Sequence, residues 1–532
     1  MRNRFPDRRA GLEPGRLSFD GPSPTPMRLP FLAALIASLA IPLAEPVVAQ
    51  PTSARGVLAA AAAAGAISNA ADRTAAVNAL WASLRPGQPT SRVPYVAADT
   101  AVFLWRGAAA SVAVAGDHTG WSPSATLVRQ GQSDLWVRMD RFDAAARVDY
   151  KLVTGGSTWF LDPSNPNRQA SGFGPNSELR MSAWQAEPLT VRDPAVAAGT
   201  LGPNVTLTSA RYTTAPVTYR VWTPAGYAAG TDRLPAVYVT DGHEYADDAL
   251  GAVRIVLDNL VAQGRVEPCV VVFVDPRQGT TNRRQQQYVN NAAFAAFVAE
   301  ELVPAVDAAY RTRADRASRV ILGTSLGGVF SAFLGATHPG TFGLLGIHSP
   351  AFWISENPAW GGGPSIYTLM QQSAPGTFRV AMTTGTIRDT QAEAQRMRTI
   401  LTGRSHALTY REVPEGHSWG AWRALVDDVL VALLPPRPTA GEGGPEPGAL
   451  RLDAAPNPSS DSTTLRFHLA EPAAVRLACV DAQGRTVATL ADGDLPAGDH
   501  ARTLGADLAA GVYACRLTAG ADTATRTLTV VR

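Results

Sequence analysis

The chain has 532 residues, 45% hydrophobic and 17% charged, with a net charge of +2; its cations are arginines apart from one lysine, Lys151. That length implies about three or four domains with real cores, and the near-neutral balance excludes an extended nucleic-acid surface. Three cysteines exclude a disulfide-dense scaffold and a multi-cysteine zinc site.

Residues 1–26 are polar and rich in Arg and Pro, and read as a disordered or start-site extension. Residues 27–49 read as a secretory signal peptide: Met27-Arg28, the apolar run "LPFLAALIASLAIPLA", then Val47 and Ala49 before Gln50, with cleavage near Ala49. A membrane anchor fits less well, because the run is short and broken by Pro30 and Pro42. The alanine-rich stretch 50–95 predicts one or two helices ending at Pro86-Gly87. From 96 to 190, short alternating segments ("AVFLWRG", "SVAVAG", "DLWVRM", "ARVDYKLV") predict a small all-β sandwich.

Between 198 and 435 strand-like runs alternate with helical ones, the helices being 246–263, 291–310, 326–337, 390–403 and 419–434. Continuous β-branched runs between helices indicate a sheet buried on both faces, hence a doubly wound, mostly parallel α/β domain. Residues 436–449, "PRPTAGEGGPEPGA" in composition, form a linker. A second small all-β domain follows at 450–532. The expected architecture is therefore multi-domain, a central α/β domain flanked by two all-β, sandwich-like ones. No other stretch is long enough to span a bilayer, so an integral membrane protein is not expected.

The chemistry concentrates in "RVILGTSLGGVFSAFL", 319–334. As a bare string, G-x-S-x-G is weak in a chain with 47 glycines. Here a buried strand precedes it and a helix follows, the setting in which a sharp turn lifts a serine off the sheet's carboxyl edge. Ser325 is thus the candidate nucleophile, the alternative being a nucleotide-binding glycine turn. In this type of fold the order runs Ser, acid, His. Of His338, His348, His406 and His417, only His417 ("PEGHSWGAW") sits on a loop at the carboxyl end of the last strand. Asp389 ("TTGTIRDT") is the preferred acid, with Glu412 and Glu415 as poorer rivals and an N-cap of helix 390–403 as its alternative role. The oxyanion donors expected are the N–H of Leu326 and the loop around Gly242 and His243.

These residues resemble the esterase D family, and within it the enterochelin-esterase-like branch. The carrying stretches are "VYVTDGHEY", "VVVFVDPR", "NNAAFAAFVAEELVPAVDAAYRT", "RVILGTSLGGVFSAFLGATHPGTFGLLGIHSPAFW", "TTGTIRD" and "VPEGHSWGAW". The resemblance implies an α/β-hydrolase-fold serine esterase without cofactor or metal, with Ser325, Asp389 and His417 at the triad positions. Its implied substrates are siderophore lactones or feruloyl and acetyl esters of carbohydrates. Arg277, Arg284 and Trp353 are candidate substrate contacts. One departure is that the branch's Arg-x-x-Glu here becomes Arg284 with Gln287. Residues 96–190 resemble the immunoglobulin-like, carbohydrate-module-like sandwich preceding the hydrolase in that branch. Trp121 and Trp159 are read there as packing the sandwich, which caps the cleft, in preference to stacking on sugar. Residues 450–532 ("APNPSSDSTTLRFHL", "LAAGVYACRL") resemble a type A sorting domain of type IX secretion. That implies the type IX machinery as a partner, with a secreted or cell-surface location. Cys479 and Cys515 fall on inward positions, paired or not. Two other functions stay open at this level: a non-catalytic surface carbohydrate-binding or adhesive protein, and an acyltransferase.

Overall fold

Alternation within one strand shows how the N-terminal part is layered. In Thr100–Arg106, Val102 and Leu104 pack under two helices, Ala54–Ala66 and Ala70–Ser83, while Ala101 and Phe103 face a second core. The helices form because alanine favours helix and each start is capped: Ser53 accepts from the Gly56 N–H, and Asn69 from those of Ala71 and Asp72. The second core lies between a four-stranded and a six-stranded antiparallel sheet. Within Arg147–Thr154 of the six-stranded sheet, Val148, Tyr150 and Leu152 enter that core. Arg147, Asp149 and Lys151 therefore project from the opposite face.

The computed structural model describes residues 51–360, 363–436 and 450–530, apart from 451, 456, 458, 460, 461, 482, 483, 506, 507 and 521. The expected extension 1–26, the expected signal peptide 27–49 and residues 437–449 of the expected linker lie outside the described residues.

The central domain is a nine-stranded sheet. Val217–Thr223 pairs antiparallel with Val270–Asp275. From there the strands run parallel in the order Val270–Asp275, Ala236–Val239, Arg319–Thr324, Leu344–His348, Arg379–Gly385 and Ala407–Val413. Both faces are covered. Ile321 joins the cluster of Phe294, Phe330 and Met397 on one side, and Val320 and Leu322 join Val256, Trp419 and Leu430 on the other. That two-sided burial is why these strands read as unbroken apolar runs.

Helices Leu326–Thr337, Gln391–Gly403 and Trp419–Leu433 fall within one residue of expectation. Two others differ. The segment expected as 246–263 is helical only over Val253–Ala262, with a short separate helix at Gly242–Tyr245. The segment 291–310 is α-helical at Ala292–Phe297 and Val303–Ala309, with a π-turn at Val298–Leu302 between them. Pro304 is the second residue of the latter piece and cannot donate the N–H that an uninterrupted helix would use.

The C-terminal domain consists of a three-stranded and a four-stranded sheet around Leu465, Phe467, Leu477, Leu517 and Leu528. Cys479 and Cys515 are direct cross-strand partners and form a disulfide. Cys269 is buried and unpaired, and burial pushes its thiol pKa up. Among the described residues no helix is long and apolar enough to cross a membrane.

Candidate active site

Ser325 links the strand Arg319–Thr324 to the helix Leu326–Thr337 with φ 57° and ψ −115°, a conformation that costs an L-residue on the order of 1–3 kcal/mol. Three backbone bonds hold it: Ser325 N–H to the His348 carbonyl at 2.9 Å, and Val329 and Ala351 N–H to the Ser325 carbonyl at 3.1 and 3.3 Å. Glycine is required on both sides. A Cβ on Gly323 would lie 2.3 Å from the Gly327 carbonyl oxygen, and one on Gly327 would lie 2.2 Å from Thr240 Oγ1.

His417 reaches the serine from the loop after Ala407–Val413, with Nε2 2.9 Å from Ser325 Oγ and Nδ1 2.6 Å from Asp389 Oδ1. The other carboxylate oxygen of Asp389 accepts from Gly385 N–H at 2.6 Å and Ser349 Oγ at 2.5 Å. Burial alone would raise the Asp389 pKa, but the hydrogen bond and charge of His417, with the bonds from Ser349 and Gly385, hold it below the ordinary value. Asp389 thus stays an anion able to fix the imidazole tautomer. Trp422 supports both partners, donating Nε1–H to Ser349 Oγ at 2.9 Å and setting its ring edge-on to His417 at 4.9 Å.

The rival residues are engaged elsewhere. Thr390 is the N-cap of helix Gln391–Gly403. Glu412 accepts from Gln391, Gln395 and Tyr410, and Glu415 from Arg147 and Trp184. His348 is fully buried against Thr383, its pKa lowered to about 3 by burial. His406 contacts Ser373, and His338 contacts Thr337.

The adjacent loop after Ala236–Val239 packs directly on the serine turn. Thr240 N–H donates to the Leu322 carbonyl at 3.0 Å. Arg284 straps the two loops together, donating Nε–H to both Asp241 oxygens at 2.9 and 3.0 Å and a terminal N–H to the Thr324 carbonyl at 3.0 Å. Leu326 opens one helix, and Gly242 and His243 open another, so their N–H groups have no intrahelical acceptor. A Cβ on Gly242 would lie 2.3 Å from the Phe273 carbonyl carbon. The His243 imidazole lies beside Asp275 at 3.3 Å, its pKa lowered mainly by burial.

Ser325 and His417 open on a cleft of about 570 Å³. One wall belongs to the central domain (Glu244, Arg284, Trp419, Trp422), the other to the N-terminal β-module (Trp121, Asp149, Lys151, Phe173, Asn176). Of the three candidate substrate contacts, Arg284 lines this cleft, but its guanidinium is occupied by Asp241 and Thr324. Arg277 pairs with Asp275 and lines a separate groove with His243. Trp353 is 44% exposed against Trp360 and is not among the cleft's lining residues. The expectation that Trp121 and Trp159 pack inside the sandwich is corrected, since they are 36% and 42% exposed. Sequence reasoning missed the module's charged wall. Its signal was the alternation of Arg147, Asp149 and Lys151 with Val148, Tyr150 and Leu152.

Arg147 joins the module to the histidine loop. It is 1% exposed and donates to Glu415 at 2.6 Å, Asp149 at 2.6 Å, Glu178 at 3.3 Å and Ser418 Oγ at 2.5 Å. Glu415 and Ser418 flank His417.

Residues 210–433 match the family Esterase ("Putative esterase"). The chain is 28% identical over 149 residues to an endo-1,4-beta-xylanase/feruloyl esterase of Xylanibacter ruminicola, covering 26% of this chain and 20% of that protein. It is 27% identical over 229 residues to the iron(III) enterobactin esterase of Escherichia coli K12, covering 41% of this chain and 54% of the relative. It thus spans a fifth and about half of these proteins' lengths. The enterobactin esterase of Shigella flexneri, solved in the presence of enterobactin, shares the fold at a TM-score of 0.54 and 20% identity, over 66% of this chain and 97% of that one.

Proposed function

We propose that the protein is a serine carboxylic-ester hydrolase working through Ser325, His417 and Asp389. The observation that carries this reading is the unbroken chain Ser325 Oγ–His417 Nε2 and His417 Nδ1–Asp389, at 2.9 and 2.6 Å, on a strained strand-to-helix turn. Ser325 Oγ attacks the ester carbonyl while His417 takes its proton. Asp389 orients the imidazole and stabilises the imidazolium. The tetrahedral oxyanion is received by the Leu326 N–H, with the loop at Gly242 and His243 as second donor. His417 then protonates the departing alcohol, and water cleaves the acyl-enzyme by the same path. Siderophore lactones and feruloyl or acetyl esters of carbohydrates are the substrates to try first, a choice supported by relatives named as a feruloyl esterase and an enterobactin esterase. Residues 27–49 and 450–532 are read as the signal peptide and the type IX sorting domain of an exported enzyme; the exported protein should then begin at Gln50, and retention inside the cell with residues 27–49 intact would count against this route.

The full chain is expected to be labelled covalently by a fluorophosphonate probe and to hydrolyse p-nitrophenyl acetate. Absence of both would overturn the esterase reading.

A further inference from the structure

We propose that Lys151 forms an anion-binding subsite of the cleft, and that the preferred ester carries a carboxylate or comparable compact oxyanion on its acyl or its alcohol side. This rests on the esterase reading above.

The inference starts from which charges in the cleft are already satisfied. The ionisable side chains lining it are Asp149, Lys151, Glu244, Arg284 and His417. Arg284 is occupied by Asp241 and the Thr324 carbonyl. Asp149 accepts from Arg147 and from Asn176. His417 is held between Ser325 and Asp389. Burial, reinforced by the Asp241 charge, pushes the Glu244 pKa up to about 7, so near and below neutral pH much of it is protonated and competes weakly for a cation. Lys151 remains. It is half-buried, and among the described residues no carboxylate lies within ion-pair distance of it and no hydrogen bond from its ammonium is found.

The surroundings make an unpaired ammonium costly to leave so. Trp121, Phe173, Trp419 and Trp422 supply apolar wall, and in such a setting a charge-assisted hydrogen bond is stronger than at an open surface. The strand also fixes which part of a substrate Lys151 can meet. Arg147 grips the loop carrying His417, and Lys151 lies four residues further along, about 13 Å at the rise of a β-strand. It is therefore placed to read a substituent several bonds from the scissile ester, not the reacting carbonyl. Phe173, 99% exposed at the rim, offers a ring to the body of the same substrate.

The test compares matched ester pairs on the full chain: mono-p-nitrophenyl adipate against p-nitrophenyl hexanoate for charge on the acyl side, and 4-carboxyphenyl acetate against phenyl acetate for charge on the alcohol side. Dividing each variant's anionic-to-neutral kcat/KM ratio by that of the wild type cancels intrinsic reactivity. On one of the two arms, Lys151→Met is expected to lower the ratio about tenfold, mainly through KM. Lys151→Glu should lower it further, Lys151→Arg should restore part of it, and the wild-type ratio should fall with added salt. Ratios that Lys151→Met and Lys151→Glu leave unmoved on both arms overturn the subsite. The esterase reading is judged separately, by wild-type turnover of the neutral esters and by probe labelling.

Discussion

Ser325→Ala is expected to abolish labelling by a fluorophosphonate and to lower kcat on p-nitrophenyl acetate on the order of 10⁶-fold, the loss typical when a triad nucleophile is removed. The substitution deletes one oxygen. The Ser325 N–H bond to His348 and the two bonds to the Ser325 carbonyl are made by backbone, so the turn keeps its anchors. The group left without a partner is His417 Nε2, which faces the cleft, where water can replace the hydroxyl. The thermal midpoint should therefore move little while activity disappears, and that contrast separates a chemical role from a structural one. Turnover in the alanine variant clearly above the spontaneous rate would mean that another group attacks the ester.

What could be read in advance, and what could not, follows from how far apart the cooperating residues lie in the chain. The serine turn is local: strand, two glycines and helix occupy 319–337, and the close contacts at Gly323 and Gly327 require those small residues. Asp389 and His417 were legible because parallel strand order fixes which loops meet at the carboxyl edge. The engagement of Arg284 was hidden for the converse reason. Its partner, Asp241, is 43 residues away on the loop of a neighbouring strand, so an arginine that looks free in sequence is occupied in the fold. Arg277 is engaged as well, by Asp275 only two residues away, so there the partner was local. The π-turn in 291–310 was hidden because its apolar pattern is helical throughout and only Pro304 disturbs it. The cysteine pairing likewise needed the register Cys479↔Cys515; inward positions alone left it open. The module's wall of the cleft was the least legible part. Contacts such as Arg147 with Glu415, 268 residues apart, leave no periodic trace beyond a strand with one charged face.

Arg147 is where that long-range contact should be most expensive to lose. Its guanidinium is almost fully enclosed and serves three carboxylates, Asp149, Glu178 and Glu415. A Cβ on Gly420 would lie 2.1 Å from it, so the group lies flush against the start of helix Trp419–Leu433. Arg147→Met leaves Asp149 and Glu415 buried without their cation, Glu178 keeping Arg180, and such a loss typically costs about 3–5 kcal/mol. The direction with pH follows. Burial already raises the Asp149 pKa against the opposing charge of Arg147; without the arginine its folded-state value stands further above the unfolded one, so the folded variant holds more protons than the unfolded chain and its stability falls as pH rises from the unfolded pKa towards the folded one. A urea midpoint lower at pH 8 than at pH 5, with the gap larger than in wild type, is the expected result. Activity should fall as well, because Glu415 and Ser418 are the handles by which Arg147 holds His417. A displacement of about 1 Å in a catalytic group can cost about 10²-fold, and here it should appear in kcat and in the rate of fluorophosphonate labelling more than in KM. Arg147→Lys keeps the charge but loses the fork, so it should recover stability better than it recovers labelling. If folded Arg147→Met, assayed at pH 5, is labelled at the wild-type rate, the arginine only joins two domains. If labelling stays slow there, the N-terminal module is part of what aims the histidine.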